Sequence, residues 1–457
     1  MISVVVSIFA IFAVVATFSQ FGFRERRLSR PSSVLAIAAL LTLEYVVRPI
    51  DVLIRGEIGW DERTTRRLEI AEFSDAVLLA LGAILLLSLT AVFSREYIFG
   101  SIAKSGRVSV KPSARVERFV RPGVKVLVLL SISIAVFLGL GTSIAATSNV
   151  FAGEFGRQNF GSGYAYLAIN LLSPIAIGVK AAEMRSRRAN SKLANRVLAA
   201  GLFAFTSFHV LVTGGRTELI FTFVALSALY FMRNDRRKLR RPVFGLVLIG
   251  ALAASYRVLT REALFAENAS ISRWDLLVER WSNPLSLLLS GDVSSFDKLA
   301  LLSTANFEQQ GGATYAAVVT VPLGGEAQDG GNRAFTSIAD PFRYESLPTS
   351  EGVSYLGEAV LNFGLLGALF AAVLLGLLSS FFDSRANTSP MWLAVWAGWI
   401  GSLPTLFRAD FLNFTAALMP LIVLSGCVSW WVSRSQALVF EPDVITRRHP
   451  ARVVGAL

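Results

Sequence analysis

Apolar runs of about twenty residues alternate with short polar segments along most of this chain, and roughly 20 such residues in a helix cross a ~30 Å hydrocarbon core. Eleven stretches meet that requirement, near 2–21, 32–47, 75–94, 124–143, 162–179, 197–213, 217–232, 242–256, 353–382, 390–407 and 411–432. The pattern predicts an all-α fold, a polytopic integral membrane protein with about 11 transmembrane helices, or 12 if one span escapes the pattern, forming a single domain over residues 1–457. One connection is far longer than the rest. Residues 257–352, between the eighth and ninth spans, make a polar loop in which short helices are expected.

Charge decides which side that loop occupies. With alternating sides, RERRLSR, the Arg95–Lys125 stretch, KAAEMRSRRANSKLANR, RNDRRKLRR, DSRANTS and the C-terminal tail fall together and hold 29 of the 44 Lys and Arg. A Lys/Arg excess marks the cytoplasmic face. The N-terminus is therefore expected outside, the C-terminus inside and the 257–352 loop extracytoplasmic. The first span has no basic leader and no small-residue cleavage site, and RERR follows it, so it reads as a retained anchor. A hydrophobic content of 53% agrees with a membrane protein. The net charge of +12 lies in short loops beside spans, where topology and anionic headgroups account for it, and nucleic acid is not an expected partner. The single cysteine, Cys427, is in the last span, so the loop has no disulfide and no Cys-based metal site exists.

Familiar catalytic motifs are missing. There is no GxxxxGK[ST], HExxH, CxxC pair or GxSxG, which removes support for ATP-driven transport and zinc hydrolysis. Of the two histidines, His449 is in the tail and His209 reads as a packed residue of span six. GGEAQDGG lacks the lysine of a phosphate loop and reads as a flexible turn, and no fixed-period repeat is present.

The remaining candidates are charged residues at the outer ends of spans. Arg216, in the tight GGRTELI turn, sits beside the outward N-terminus of span seven, whose free N–H groups and dipole favour a phosphate. Pairing with Glu218 or with headgroups explains the same arginine. Arg257 and Arg261 in YRVLTRE share a helical face, where two guanidinium forks suit a pyrophosphate and snorkelling suits headgroups. Glu358 and Asn362 lie one turn apart in SEGVSYLGEAVLNFGLLG, within a long apolar helix. An ionisable group at membrane depth points to function, although the first turns of so long a span can also stand above the hydrocarbon. Gly357, Gly364 and Gly367 are expected to form a face for close helix contact. In the loop, Trp274, Trp281, Phe307, Gln309, Gln310, Tyr315 and Tyr344 suit a glycan-facing surface or an ordinary small lid. WDLLVERW and PLSLLLSGDVSSFDKLALL read as amphipathic helices that lie on the membrane or dip into it. Arg333 and Arg343 are candidate phosphate ligands or solvated loop arginines.

A polar external loop followed by LGEAVLNFGLLG, with GGRTELI upstream and Arg408 and Asp410 in the LFRADF turn, resembles the bacterial O-antigen or oligosaccharide repeat-unit polymerases. The likeness spans the topology of nearly the whole chain, through short motifs. Twelve spans are commoner in that family. An Arg-x10-Gly spacing found in some members occurs from Arg48, Arg95 and Arg280, as often as composition alone produces it. The resemblance implies transfer of a growing glycan from an undecaprenyl-pyrophosphate carrier to the next lipid-linked repeat unit, on the outer face of the bacterial cytoplasmic membrane. Donor and acceptor oligosaccharide lipids are the implied partners, with a chain-length regulator and a flippase as further ones. The implied cofactors and metals are none, because the pyrophosphate-linked donor carries the energy. Arginines and helix N-termini would stabilise the departing pyrophosphate. Glu358 is the first candidate for the base that takes the acceptor's proton, ahead of Asp410 and Glu218, since an apolar setting makes a carboxylate more basic. An O-antigen ligase would use the same donor. A lipid-linked oligosaccharide flippase would bind similar lipids without making a bond, and a noncatalytic scaffold would need the arginines only for folding.

Overall fold

A computed structural model describes residues 2–28, 30–59, 64–100, 172–185, 217–232, 244, 274–275, 278, 282, 294–320, 330–346, 352–408, 411, 414–415 and 419–437. The described helices are α1 (Ile2–Arg27), α2 (Val34–Thr42), α3 (Arg48–Arg55), α4 (Ile70–Phe93), α5 (Leu172–Arg185), α6 (Thr217–Met232), α7 (Ser295–Thr304), α8 (Ala313–Thr320), α9 (Gly331–Ala339), α10 (Pro341–Ser346), α11 (Ser354–Arg385), α12 (Pro390–Arg408) and α13 (Met419–Ala437). π-helical turns at Leu43–Val47 and Ser94–Ile98 join α2 to α3 and extend α4. Among the described residues the only sheet is a two-residue hairpin ladder, Glu57–Ile58 against Arg66–Arg67. The fold is all-α.

Among the described residues, three helical segments are long and apolar enough to cross a membrane: Ile2–Arg27, Ile70–Ile98 and Ser354–Arg385. Their exposed faces carry large apolar side chains, among them Phe9, Phe12, Leu85, Leu89, Leu366, Phe370 and Leu374. Water solvates such stripes poorly and lipid solvates them well, so these helices are compatible with a membrane protein. The predicted span at 32–47 is instead the first part of a longer helical stretch, 34–55, with Glu44 and Arg48 buried in it. Within the predicted span at 411–432 the described residues are helical, with Phe411 α-helical, 414–415 π-helical and α13 covering Met419 onward. The spans predicted at 124–143, 197–213 and 242–256 lie outside the described residues apart from Phe244.

Small residues on the inward faces let backbones meet. A Cβ on Gly376 would lie 2.8 Å from Leu87 O, one on Gly401 3.0 Å from the Ala225 Cβ, and one on Gly178 2.7 Å from Ser425 O. The Ser380 hydroxyl donates to Ala91 O at 2.7 Å beside the first of these contacts. Close approach through glycine, alanine and serine is how helices associate where the solvent is as apolar as the side chains. Of the expected contact face, Gly357 meets α7, where a Cβ would lie 3.4 Å from Leu302 Cδ1, but Gly364 has another role. Gly364 has φ +66°, and with Phe363 (φ −135°) it interrupts α11.

Polar clusters mark the two ends of the bundle. At one end Asp383 of α11 accepts from the Ser33 amide at 2.9 Å and from Trp396 Nε1 at 2.8 Å. Arg95 there donates to Pro31 O at 3.0 Å and pairs with Glu25 at 3.4 Å. RERRLSR, the segment after α4 and DSRANTS therefore share an end, as the alternating pattern requires. Arg26 stacks on Phe231 at this end, so α6 has its last turn here and its Thr217 end at the other.

The opposite end holds a buried ion network. Arg48 Nε and Nη2 donate to the two oxygens of Asp297 at 2.9 and 2.5 Å, Nη1 to Asp51 at 2.7 Å and Nη2 to Gly59 O at 2.8 Å. The Gly59 amide completes the ring by donating to Asp297 at 3.0 Å. α7 lies in the amphipathic segment expected to lie on the membrane or to dip into it. It is instead enclosed, with Ser295, Phe296, Asp297, Lys298, Leu299, Ala300 and Leu302 all buried and Phe296 edge-on to Phe73 of α4 at 5.2 Å. Its polar residues tolerate enclosure because Arg48 and Glu44 supply partners from the α2–α3 stretch. Arg48→Ala, which leaves the buried Asp297 without its bidentate ion-pair partner, is expected to cost about 3–5 kcal/mol. Thermal unfolding in detergent checks this, and Arg48→Met with Asp297→Leu should recover most of the loss.

Candidate functional site

The break in α11 organises the best-defined polar site. Its first nine residues, Ser354–Asn362, end about 13 Å along the axis at the usual 1.5 Å rise. Carbonyls at the end of a helical segment lack intrahelical donors. Here the chain between α7 and α8 supplies them, with the Gln310 amide donating to Leu361 O at 2.9 Å and the Gly311 amide to Asn362 O at 3.0 Å. Gly311 and Gly312 have φ +54° and +94°, and that turn lets consecutive amides face the helix end. The Gly312 amide then donates to Asn362 Oδ1 at 3.0 Å.

Asn362 and Glu358 are linked through Thr314. Asn362 Nδ2 donates to Thr314 Oγ1 at 2.7 Å and to Glu358 O at 2.8 Å. Thr314 in turn donates to Glu358 Oε1 at 2.7 Å. The other carboxylate oxygen accepts from the Phe411 amide at 2.5 Å. Glu358 is fully buried and Asn362 1% exposed. The start of α9 closes over the carboxylate, so that a Cβ on Gly331 would lie 2.7 Å from Glu358 Cδ. Asn332 follows, and its Oδ1 accepts from the Val353 amide at 2.9 Å. That bond steadies the start of α11, where Ser354 takes φ +66°, a conformation side chains other than glycine rarely adopt.

Aromatic rings wall the exposed side. Tyr315 stacks on Phe363 at 6.1 Å and meets Phe411 edge-on at 5.7 Å. Phe363 is 48% and Phe411 36% exposed. Burial, and after it the Glu358 charge, push the Tyr315 phenol up, so it stays neutral and can donate a hydrogen bond at physiological pH.

No protein-family model, curated protein or solved structure matches this chain. The geometry alone therefore sorts the predicted residues.

Glu358 and Asn362 come together, and Arg408 belongs to the same end as the last residue of α12. Arg333 folds onto its neighbour, with Nη2 donating to Tyr344 O at 2.6 Å and its guanidinium 4.2 Å from the Tyr344 ring. Arg343 lies in α10, and Glu218 in the first turn of α6. Arg216, Arg257, Arg261 and Asp410 lie outside the described residues. So do Trp281 and most of GGEAQDGG, whereas Trp274 is exposed. Among the described residues no three His, Cys, Asp or Glu side chains are grouped to hold a metal.

Sequence reasoning missed Thr314, Gly331 and the two links to α7, from Arg48 to Asp297 and from Glu44 to the Ser295 amide. The only sign of these links in the sequence is a carboxylate and a guanidinium at the end of an apolar run, in LEYVVRPID. Thr314→Val is nearly isosteric and removes both Thr314 bonds, leaving Glu358 Oε1 and Asn362 Nδ2 short of a partner. Each lost partner of a buried polar group costs about 1–3 kcal/mol. Thr314→Ser should restore most of the stability, read as the thermal midpoint in detergent.

Proposed function

We propose that this protein polymerises lipid-linked oligosaccharide repeat units at the extracytoplasmic face of the bacterial cytoplasmic membrane. In this reading it has about eleven spans, an outer N-terminus and a cytoplasmic C-terminus. The observation that carries the reading is the position of Glu358. One buried carboxylate joins the three segments that bear the polymerase-like features: the LGEAVLNFG helix, the long loop through Thr314, and the LFRADF turn through Phe411. A site for a pyrophosphate-linked glycan needs those parts held together, because positioning and charge stabilisation make up most of its catalysis.

In the proposed reaction an acceptor hydroxyl attacks the anomeric carbon of the donor. A new glycosidic C–O bond forms, the bond to the carrier's pyrophosphate breaks, and the electron pair leaves with the pyrophosphate. Arg216, Arg257, Arg261 and Arg408 offset the growing negative charge. The enclosure of Glu358 changes its assigned role. Both oxygens already accept hydrogen bonds, so it holds the loop against the turn, and Asp410, the residue before the held amide, takes the acceptor's proton. Arg343 remains a candidate contact for the acceptor's phosphate, while Arg333 shapes the α9–α10 hairpin.

A flippase is favoured by one observation, the interruption of α11, since transporters commonly build sites from broken helices. Against it, Glu358, Thr314, Asn362 and Phe411 cluster toward one end of the bundle. A ligase shares the donor and differs in the acceptor.

The chain-length ladder of surface polysaccharide separates these readings in a strain lacking the gene. The expected result is loss of the ladder with a single capped repeat unit surviving. Wild type restores the ladder; Arg216→Ala and Asp410→Asn at matched membrane levels do not, and Glu358→Gln gives a shorter, weaker ladder. An unchanged ladder in a strain with no second polymerase would reject polymerisation. Loss of every capped form would indicate a ligase or flippase.

A further inference from the structure

The chain is held on either side of residues 409–410, at Phe407 and at Phe411. Glu358 holds its Phe411 amide, and the Ser295 hydroxyl donates to Phe407 O at 2.6 Å. Phe407 O is one of the last carbonyls of α12, which have no amide of their own helix to accept from. Phe407 is 1% and Ser295 3% exposed, so water does not readily replace that hydroxyl. Ser295 is itself fixed. As the first residue of α7 it donates its amide to Glu44 Oε2 at 3.1 Å, a favourable place for a carboxylate because it faces the positive end of the helix. Two residues further on, Asp297 is locked to Arg48 and the Gly59 amide. The second apolar stretch thus reaches the residue before Arg408 through a single relay, from the Glu44 carboxylate to the Ser295 amide and from the Ser295 hydroxyl to the Phe407 carbonyl.

We propose that Glu44 and Ser295 are positioning residues for Arg408, fixing the end of α12 at Phe407 while Glu358 holds the chain at Phe411. The catalytic consequence rests on the polymerase reading, in which Arg408 meets a pyrophosphate whose charge grows in the transition state. A small displacement of a preorganised cation then lowers turnover more than substrate binding. The geometric part does not depend on that reading.

Two measurements on purified, full-length protein in nanodiscs test it. Hydrogen exchange in a peptide covering residues 405–412 should be about tenfold faster in Ser295→Ala than in wild type, with exchange in α4 unchanged. With a lipid-linked repeat unit as substrate, kcat should fall about tenfold with KM within about twofold. Glu44→Ala should act in the same direction. Ser295→Thr, which keeps the hydroxyl, and Glu44→Gln, which keeps an acceptor for the Ser295 amide, should recover most of the turnover. Unchanged exchange in 405–412 overturns the proposal, and so does wild-type turnover in Ser295→Ala. If wild type makes no polymer, the exchange result decides alone. Faster exchange then upholds the positioning and rejects only polymerisation.

Discussion

A carboxylate withdrawn from solvent must have its oxygens occupied, and Glu358 meets that demand by drawing three distant segments to one point. Thr314 comes from the long loop, Phe411 from the chain after α12, and the Gly331 backbone seals the remaining side. Burying the group without these partners would cost several kcal/mol. The loop is therefore packed into the bundle at this point. The interruption of α11 belongs to the same arrangement, since the amides of Gln310 and Gly311 take the place of the missing helical turn.

The same logic operates at the Arg48–Asp297 network and at Asp383. In a protein with largely apolar faces, hydrophobic contact says little about which helix meets which, because lipid offers an equivalent environment. Hydrogen bonds between buried polar groups carry more of that specificity here. Small residues then allow the approach, as at Gly376 and Gly401, and charged clusters fix the ends. Phe407 and Phe411 are each tied to such a cluster, and between them lies Arg408, the last residue of α12.

Much of this was legible in the sequence, and the limits have physical causes. Helix content and the long apolar segments follow from hydrophobic runs, which report burial or lipid contact directly. Grouping of the basic segments at one end follows from alternation, and Glu25, Arg95 and Asp383 do meet there. Glu358 was visible because a carboxylate in an apolar helix needs a reason. Its partners were not visible, since Thr314 and Gly331 look like any small polar residue and glycine until the fold brings them near. Gly364 was read as a packing glycine because a positive φ has no one-residue signature distinct from close contact. The enclosure of α7 escaped because its polar residues suit a wet surface equally well, and their partners lie some 250 positions earlier in the chain.

The most direct test of the account is made in proteoliposomes holding the purified protein and one defined undecaprenyl-pyrophosphate-linked repeat unit, without nucleotide. Product length and released undecaprenyl pyrophosphate are measured together over time. The account predicts products of two and more repeat units, with one carrier released for each bond formed. A substrate that keeps its single-unit length, whether or not it crosses the bilayer, would contradict it.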